Sequence, residues 1–239
     1  MTAAPPTVVL VHGAFTDAAG WLGVIDELQR GGVPVLAVAN PLRGLARDAA
    51  YVASVVSQID GPVVLVGHSY GGALITVAGT ADNVVGLVYV AAYVLEEGES
   101  LRELQDRFPA PPLVGSLKQW TYPVGGGETA TEFSVAPEAF PSVFAADVSP
   151  PVAKVLASAQ RPLGSSAFTE TASAAAWRTT PSWALVAGAD QAINPDVERF
   201  GAHRAGATTV EVEGASHAIT VSQPATVADF ILDAVRATS

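Results

Sequence analysis

The stretch "PVVLVGHSYGGALI", residues 62–75, decides the fold. A short apolar run of strand length leads into Gly67, His68, Ser69, Tyr70, Gly71 and Gly72, and apolar residues then resume at helical spacing. This reads as a strand, a tight turn and a helix, with a serine at the turn. Gly67, Ser69 and Gly71 spell G-x-S-x-G between the predicted strand and the predicted helix, the setting in which this pattern marks a nucleophile elbow. A serine held there takes strained backbone angles, so the residues two positions away on either side must lack bulk. The helix that follows aims free N–H groups and the positive end of its dipole at charge developing on a bound carbonyl oxygen. As a bare pattern G-x-S-x-G also fits an ordinary glycine-rich β-to-α turn; its place after an apolar strand sets it apart.

Further strand-length apolar runs lie on either side: "TVVLVHG" (7–13), "VPVLAVANP" (33–41), "VVGLVYVAA" (84–92), "SWALVAGA" (182–189) and "TTVEVEG" (208–214). All but the last are nearly continuous rather than alternating, as strands covered on both faces require. Helical patterns separate them. "DAAGWLGVIDELQRGG" offers Asp17 as an N-cap, an apolar face of Trp21, Ile25 and Leu28, and Gly31 as a stop. "LARDAAYVASVVSQI", "PDVERFGAHRAG" and "PATVADFILDAVRA" follow the same logic, with Pro195 and Pro224 in first-turn positions that tolerate proline. Strand–helix alternation predicts an α/β protein with a doubly wound, mostly parallel sheet.

The rhythm breaks between about Leu95 and Trp177, where prolines and glycines cluster in "FPAPPLVGS" and "YPVGGGE". An interruption of that length within a regular fold predicts a lid or inserted subdomain. The expected division is a core of residues 1–94 and 179–239 with a cap insertion over 95–178. Trp120, Tyr122, Phe133, Phe140, Phe144 and Phe168 give the insertion enough apolar surface for a small core of its own or for contact with substrate.

Composition bounds the function. The 239 residues are 49% hydrophobic, enough for one substantial core. A formal charge of -11 supplies no cationic footprint for nucleic acid or for anionic lipid headgroups. The chain has no cysteine, which removes disulfides, thiolate catalysis and thiolate metal sites together. "MTAAPPTVVLVHG" lacks a basic segment before its apolar run, and no stretch of about 18 apolar residues occurs. A soluble, cytoplasmic protein is expected, with no membrane partner; a homo-oligomer is compatible with the sequence.

A serine hydroxyl needs a base, and four histidines are available. His12 ends the first strand, where it supports a loop; His68 points away from its neighbour Ser69; His203 sits among charged residues on a helix. His217 follows the last strand in a loop at the same carboxyl edge as Ser69, which makes it the expected base. Asp190 ends the preceding strand and completes the chain order Ser, Asp, His as the acid that orients the imidazole. Asp196 and Glu198 lie past Pro195, where they suit the helix dipole better. In the loop after the first strand, "HGAFTDAAGW", Gly13 allows a turn, and the N–H groups of Phe15 and Tyr70 are the expected oxyanion donors. Ala14, Phe144 and Val148 are the expected pocket residues. No metal or cofactor is called for.

With "LVHGAF", "GHSYGG", "GADQAINP" and "GASHAITVSQP" in order, the chain resembles the α/β-hydrolase superfamily over nearly its whole length. More narrowly it resembles small bacterial serine esterases related to plant methylesterases and hydroxynitrile lyases. The resemblance implies a cofactor-free, two-step hydrolysis of a small ester, with Ser69 attacking, His217 shuttling the proton and water releasing the acyl-enzyme. Dehalogenases and epoxide hydrolases of this fold carry aspartate where Ser69 stands. Plant hydroxynitrile lyases typically have threonine and lysine where this chain has Gly13 and Ala218, which disfavours lyase chemistry. Receptor-like binding of a small molecule and perhydrolysis remain open alternatives on the same scaffold.

Overall fold

The apolar runs become the strands of one parallel sheet in the computed structural model, which describes residues 5–239. In chain order, β1 (Thr7–Val11), α1 (Leu22–Arg30), β2 (Val35–Val38), α2 (Leu45–Val56), β3 (Val63–His68), α3 (Tyr70–Ala78) and β4 (Val84–Val90) alternate as the sequence predicts. The rhythm then breaks through α4 (Leu101–Gln105), β5 (Leu117–Gly125), β6 (Glu128–Val135), α5 (Phe140–Val143), α6 (Pro150–Ala159) and the short β7 (Leu163–Gly164). It resumes with β8 (Ser182–Ala187), α7 (Pro195–Arg204), β9 (Thr208–Val212), α8 (Ile219–Ser222) and α9 (Pro224–Ala237).

The sheet order is β2-β1-β3-β4-β8-β9, and every neighbouring pair is parallel. Strand side chains alternate between the two faces, so each strand feeds two cores. Val9, Leu65, Leu87 and Tyr89 join one cluster with residues of α2 and α3. Val8, Val64, Val66 and Val88 join the other, with residues of α1 and α9. This is why β3 is buried at every position and reads as an unbroken apolar run. Leu65 is fully buried, so its truncation to alanine costs about 2–5 kcal/mol.

The helix ends follow local chemistry. Asp17 does act as a cap, accepting the Ala19 N–H at 2.8 Å, but of a short 3-10 turn over Ala18–Trp21 that leads into α1. At the other end the left-handed residue is Gly32 (φ 72°) rather than Gly31. Pro195 and Pro224 open α7 and α9.

Within the insertion, β5 and β6 form an antiparallel hairpin that β7 extends, an element absent from the sequence reading. Most β5 side chains are exposed, so the strand is built from residues such as Lys118, Gln119 and Thr121 and carries no apolar run. The aromatics of the insertion pair with one another and join the core on the α2–α3 face of the sheet: Phe140 stacks on Phe144 at 4.6 Å and Phe133 meets Phe168 edge-on at 5.9 Å. Trp120 is 54% exposed and belongs to neither pair.

The chain places β2 on one side of β1 and β3 on the other. The loops after β1 and β3 therefore face each other at the carboxyl edge, the switch point where open α/β sheets bind ligands.

Candidate active site

Ser69 occupies the turn between β3 and α3 with φ 57° and ψ -123°, a region costly for any side chain other than glycine. Three hydrogen bonds hold it there. Its N–H donates to the Val90 carbonyl at 3.2 Å, and its own carbonyl accepts from Gly72 at 3.0 Å and Tyr93 at 3.3 Å. The flanking glycines are required by close approach: a Cβ on Gly67 would stand 2.5 Å from the Gly71 carbonyl oxygen, and one on Gly71 would strike the Val11 carbonyl oxygen. Gly13 faces the serine directly. A Cβ there would lie 2.5 Å from the Ser69 Cβ and 3.0 Å from its Oγ.

Asp190 and His217 reach the same edge from the loops after β8 and β9 and are 2% and 1% exposed. The His217 Nδ1–H donates to Asp190 Oδ2 at 2.5 Å, which leaves Nε2 as the basic nitrogen. Asp190 Oδ1 accepts the Ala192 and Ile193 N–H groups at 2.6 and 2.9 Å, so the carboxylate is fixed from its far side. The imidazole is held by its surroundings as well: the Phe144 ring meets it edge-on at 4.8 Å, and the Ala218 N–H donates to the Phe144 carbonyl at 2.9 Å. His68 turns away from Ser69 as expected and donates from Nε2 to the His217 carbonyl at 2.9 Å. Burial, and then the neighbouring His217, hold the His68 imidazole well below the usual histidine range, so it is neutral at neutral pH. His12 bonds the Gly13 carbonyl from Nδ1 at 2.9 Å and burial lowers it too; His203 is exposed on α7.

Ser69 and His217 share a hollow of about 40 Å³ with Ala14, Phe15 and Tyr70 from the core and with Leu101, Leu113, Leu163 and Phe168 from the insertion. It adjoins a cavity of about 340 Å³, with Tyr93, Leu101, Leu113, Phe168 and Ala192 common to both. Phe133 and Leu117 extend the apolar lining of the larger space, while Arg102, Gln105 and Asp106 provide its polar groups.

Two expectations need correction. The Phe15 N–H is spent: Phe15 has φ 61°, and its N–H donates to the Arg161 carbonyl of the insertion at 3.0 Å. The Ala14 and Tyr70 N–H groups, by contrast, have no acceptor among the described residues. The Tyr70 side chain is anchored by donating its hydroxyl to Asp48 Oδ2 at 3.0 Å, and burial, with Asp48 beside it, pushes the phenol well above its usual range. The pocket also differs. Ala14 borders the hollow, but Phe144 lines a separate apolar cavity of about 360 Å³ with Phe15, His68, Val152 and Ala218. Val148 borders none of the three spaces and packs against the core. Glu198, which the sequence assigns to the helix dipole, lies 3% exposed beside Asp190. The available signal was its place on the helix face shared with Val197, Gly201 and Ala202. No group of three or more His, Asp or Glu side chains among the described residues is arranged to hold a metal ion.

A parallel sheet with a serine turn after β3 and a paired aspartate and histidine in the loops after β8 and β9 is the architecture of the α/β hydrolases. The chain belongs to that family: the model of the alpha/beta hydrolase family matches residues 8–230. Among curated proteins, lipase LipV of Mycobacterium tuberculosis is 32% identical over 120 residues, 45% of this chain and 45% of the lipase, so the match spans less than half of that relative. Among solved structures, polyneuridine aldehyde esterase superposes with a TM-score of 0.82 at 22% identity, covering 96% of this chain and 98% of that one. A methylesterase from Arabidopsis gives 0.79 at 20%, covering 97% and 99%. A pyrethroid hydrolase from Sphingobium faniae gives 0.76 at 21%, covering 97% and 98%. At these identities the likeness to the solved structures is one of fold. Among the described residues, no helix is long and apolar enough to cross a membrane.

Proposed function

We propose that the protein is a serine carboxylesterase acting on small, mostly hydrophobic carboxylic esters, with residues 95–178 serving as its cap. The observation that carries this reading is the buried Asp190–His217 pair, 2.5 Å apart, opening into the same hollow as a serine at a strained turn. Relatives with esterase, methylesterase and lipase in their names support it.

The reaction runs in two balanced halves. Ser69 Oγ attacks the ester carbonyl while its proton passes to His217 Nε2, and Asp190 balances the imidazolium that results. The tetrahedral oxyanion lies against the N–H groups of Tyr70, at the start of α3, and Ala14. As it collapses, the C–O bond to the alcohol breaks and His217 returns the proton to the leaving oxygen. Water then attacks the acyl-enzyme, giving its proton to His217, and Ser69 leaves as the restored hydroxyl with the acid released.

A hollow of about 40 Å³ is far below the roughly 300–1,000 Å³ of pockets that enclose small-molecule ligands. The bulk of any ester therefore extends into the adjoining cavity of about 340 Å³, whose apolar walls favour hydrophobic groups at about 0.8 kcal/mol per buried methylene. Lyase chemistry gains no support, because the residue after His217 is buried Ala218 and offers no cation. A panel of simple esters tests the proposal. Turnover, with one equivalent of a serine-directed phosphonate attached to Ser69 and none to Ser69→Ala, is expected; labelling at another serine with activity retained in Ser69→Ala would overturn it.

A further inference from the structure

Glu198 sits on α7 with its side chain turned inward rather than toward solvent, 3% exposed and beside the equally enclosed Asp190. Its Oε2 accepts the Ala187 N–H at 3.0 Å. Its Oε1 is buried and has no hydrogen-bond partner among the described residues, and the carbonyl of the same Ala187 accepts the Asp190 N–H at 3.1 Å, which sets the Glu198 carboxyl beside the turn that carries Asp190. Two ionised carboxylates accept only and cannot bond each other; with one proton between them the contact becomes a charge-assisted hydrogen bond.

The lone pairs of Asp190 lead to the same place. Oδ1 accepts from Ala192 and Ile193, and Oδ2 accepts from His217. A carboxylate with about four acceptor sites has one remaining. The other charged and titratable groups around Glu198 are already committed. Arg199 is held by Asp196 at 2.7 Å and by Glu211 at 2.6 and 2.9 Å, and Arg204 pairs with Glu99 at 2.8 Å. Tyr93, half-buried near both carboxyls and kept neutral chiefly by desolvation, donates its hydroxyl to Gln105 at 3.2 Å. Burial, and then the charge of Asp190, push the Glu198 carboxyl well above the usual carboxylate range.

We infer that Glu198 is a positioning residue: it carries a proton at neutral pH, donates it from Oε1 in a hydrogen bond to Asp190, and so holds that carboxylate in line with His217 Nδ1. The inference rests on the reading of Asp190 and His217 as the acid and base of the esterase. Under it, the buried cluster holds one negative charge instead of two, matched to the single imidazolium that forms during attack. The bond also draws electron density from Asp190 and keeps the basicity of His217 in check.

Glu198→Gln and Glu198→Leu in the full chain, assayed on p-nitrophenyl acetate across pH, test this. Glutamine mimics the protonated acid, because its Oε1 can accept from Ala187 while its Nε2 donates to Asp190. Its kcat and KM are expected within about twofold of wild type, with the acid limb of kcat/KM unmoved. An infrared band of a protonated carboxylic acid at pH 7 should be present in wild type and missing from Glu198→Gln. Leucine removes the donor. Its kcat should fall about tenfold or more with KM little changed, and the acid limb should move to higher pH as Asp190 becomes more basic. An acid limb displaced downward by about one unit or more in Glu198→Gln would mean that Glu198 is ionised, and would overturn the inference. Wild-type kcat in Glu198→Leu would overturn it as well. If the leucine variant does not fold, the glutamine profile and the infrared band decide. Asp190→Asn separates the two levels: full activity there removes the triad reading itself, whereas collapse there beside an unaffected Glu198→Leu removes only the role of Glu198.

Discussion

Two glycine-rich turns, one at Ser69 and one at the tip of the β5–β6 hairpin, use the same residue for opposite reasons. At the hairpin, Gly125, Gly126 and Gly127 have φ of 100°, 62° and 84°, and a Cβ on any of them would meet nothing within 4 Å. Glycine is there for its backbone freedom alone. At the serine turn the positive φ falls on Ser69, and the glycines beside it, Gly67 and Gly71, are needed because neighbouring backbone leaves no room for a Cβ. Conformational strain placed on a side-chain-bearing residue and held by three hydrogen bonds marks a built site. Strain placed on glycine marks a connection.

The largest test of that contrast is Ser69→Ala, which on the proposed mechanism should lower kcat by about 10⁶-fold, as removal of a triad serine does elsewhere. Calorimetry should show a midpoint within about 3 °C of wild type, because a single hydroxyl with little buried area is lost. Asp190→Asn comes next, with an expected fall in kcat of about 10⁴-fold and unchanged circular dichroism. Gly71→Ala tests the packing half of the comparison. Its Cβ meets the Val11 carbonyl oxygen, which belongs to the rigid centre of the sheet, so destabilisation of about 3 kcal/mol or more is expected in urea unfolding.

A smaller effect should appear with pH, because the serine turn includes a buried neutral histidine. His68 is held below its unfolded value of 6.5, so the unfolded chain binds a proton that the folded chain refuses. Its contribution to stability is complete above about pH 6.5 and is lost as pH falls from there toward the depressed folded value, by up to about 1.4 kcal/mol per unit. The raised carboxyls of Glu198 and Asp48 act with opposite sign above about 4.5 and 3.8, so the effect is read as the difference between wild type and His68→Asn. Identical slopes in the two proteins would show that His68 titrates normally. Smallest of all, Gly126→Ala should cost about 1 kcal/mol with no change in kcat/KM. If it destabilised as much as Gly71→Ala, the two turns would not differ in the way described.

The sequence made legible whatever repeats along the chain or is confined to a few neighbouring residues. Buried parallel strands need continuous apolar runs, so β1, β3, β4 and β8 stand out, and the order of Ser69, Asp190 and His217 follows from which loops share the carboxyl edge. The β5–β6 hairpin was hidden because exposed strands need no such run. Phe15 was assigned a free N–H from its position in the loop, but whether an N–H is free depends on a partner, and Arg161 lies far along the chain. Glu198 was placed in the first turn of α7, where it lies, but its burial was missed for a related reason. A carboxylate in the first turn of a helix looks like a dipole partner until the packing shows which face it occupies, and Asp196, two residues earlier, is the one that faces Arg199 at the surface. Val148 failed as a pocket residue because the path of the insertion, unlike that of the sheet, leaves no periodic trace.

The bond from the Phe15 N–H to the Arg161 carbonyl bears on how such an enzyme could be altered by exchange of parts. It joins the loop that follows β1 to the insertion, and on the other side of the site the Ala218 N–H joins the loop of His217 to Phe144. A third link runs from the Gly164 N–H to the Leu42 carbonyl at 2.9 Å. The insertion is thus stitched to the loops that carry Phe15 and His217. A graft of residues 95–178 from another member of the family would carry over the walls of the substrate space but break these stitches, unless the loops at Phe15 and Ala218 travelled with it. On the proposed function, specificity and catalytic geometry are in this sense inherited as one unit, and recombination that respects the chain's linear boundaries cuts across it.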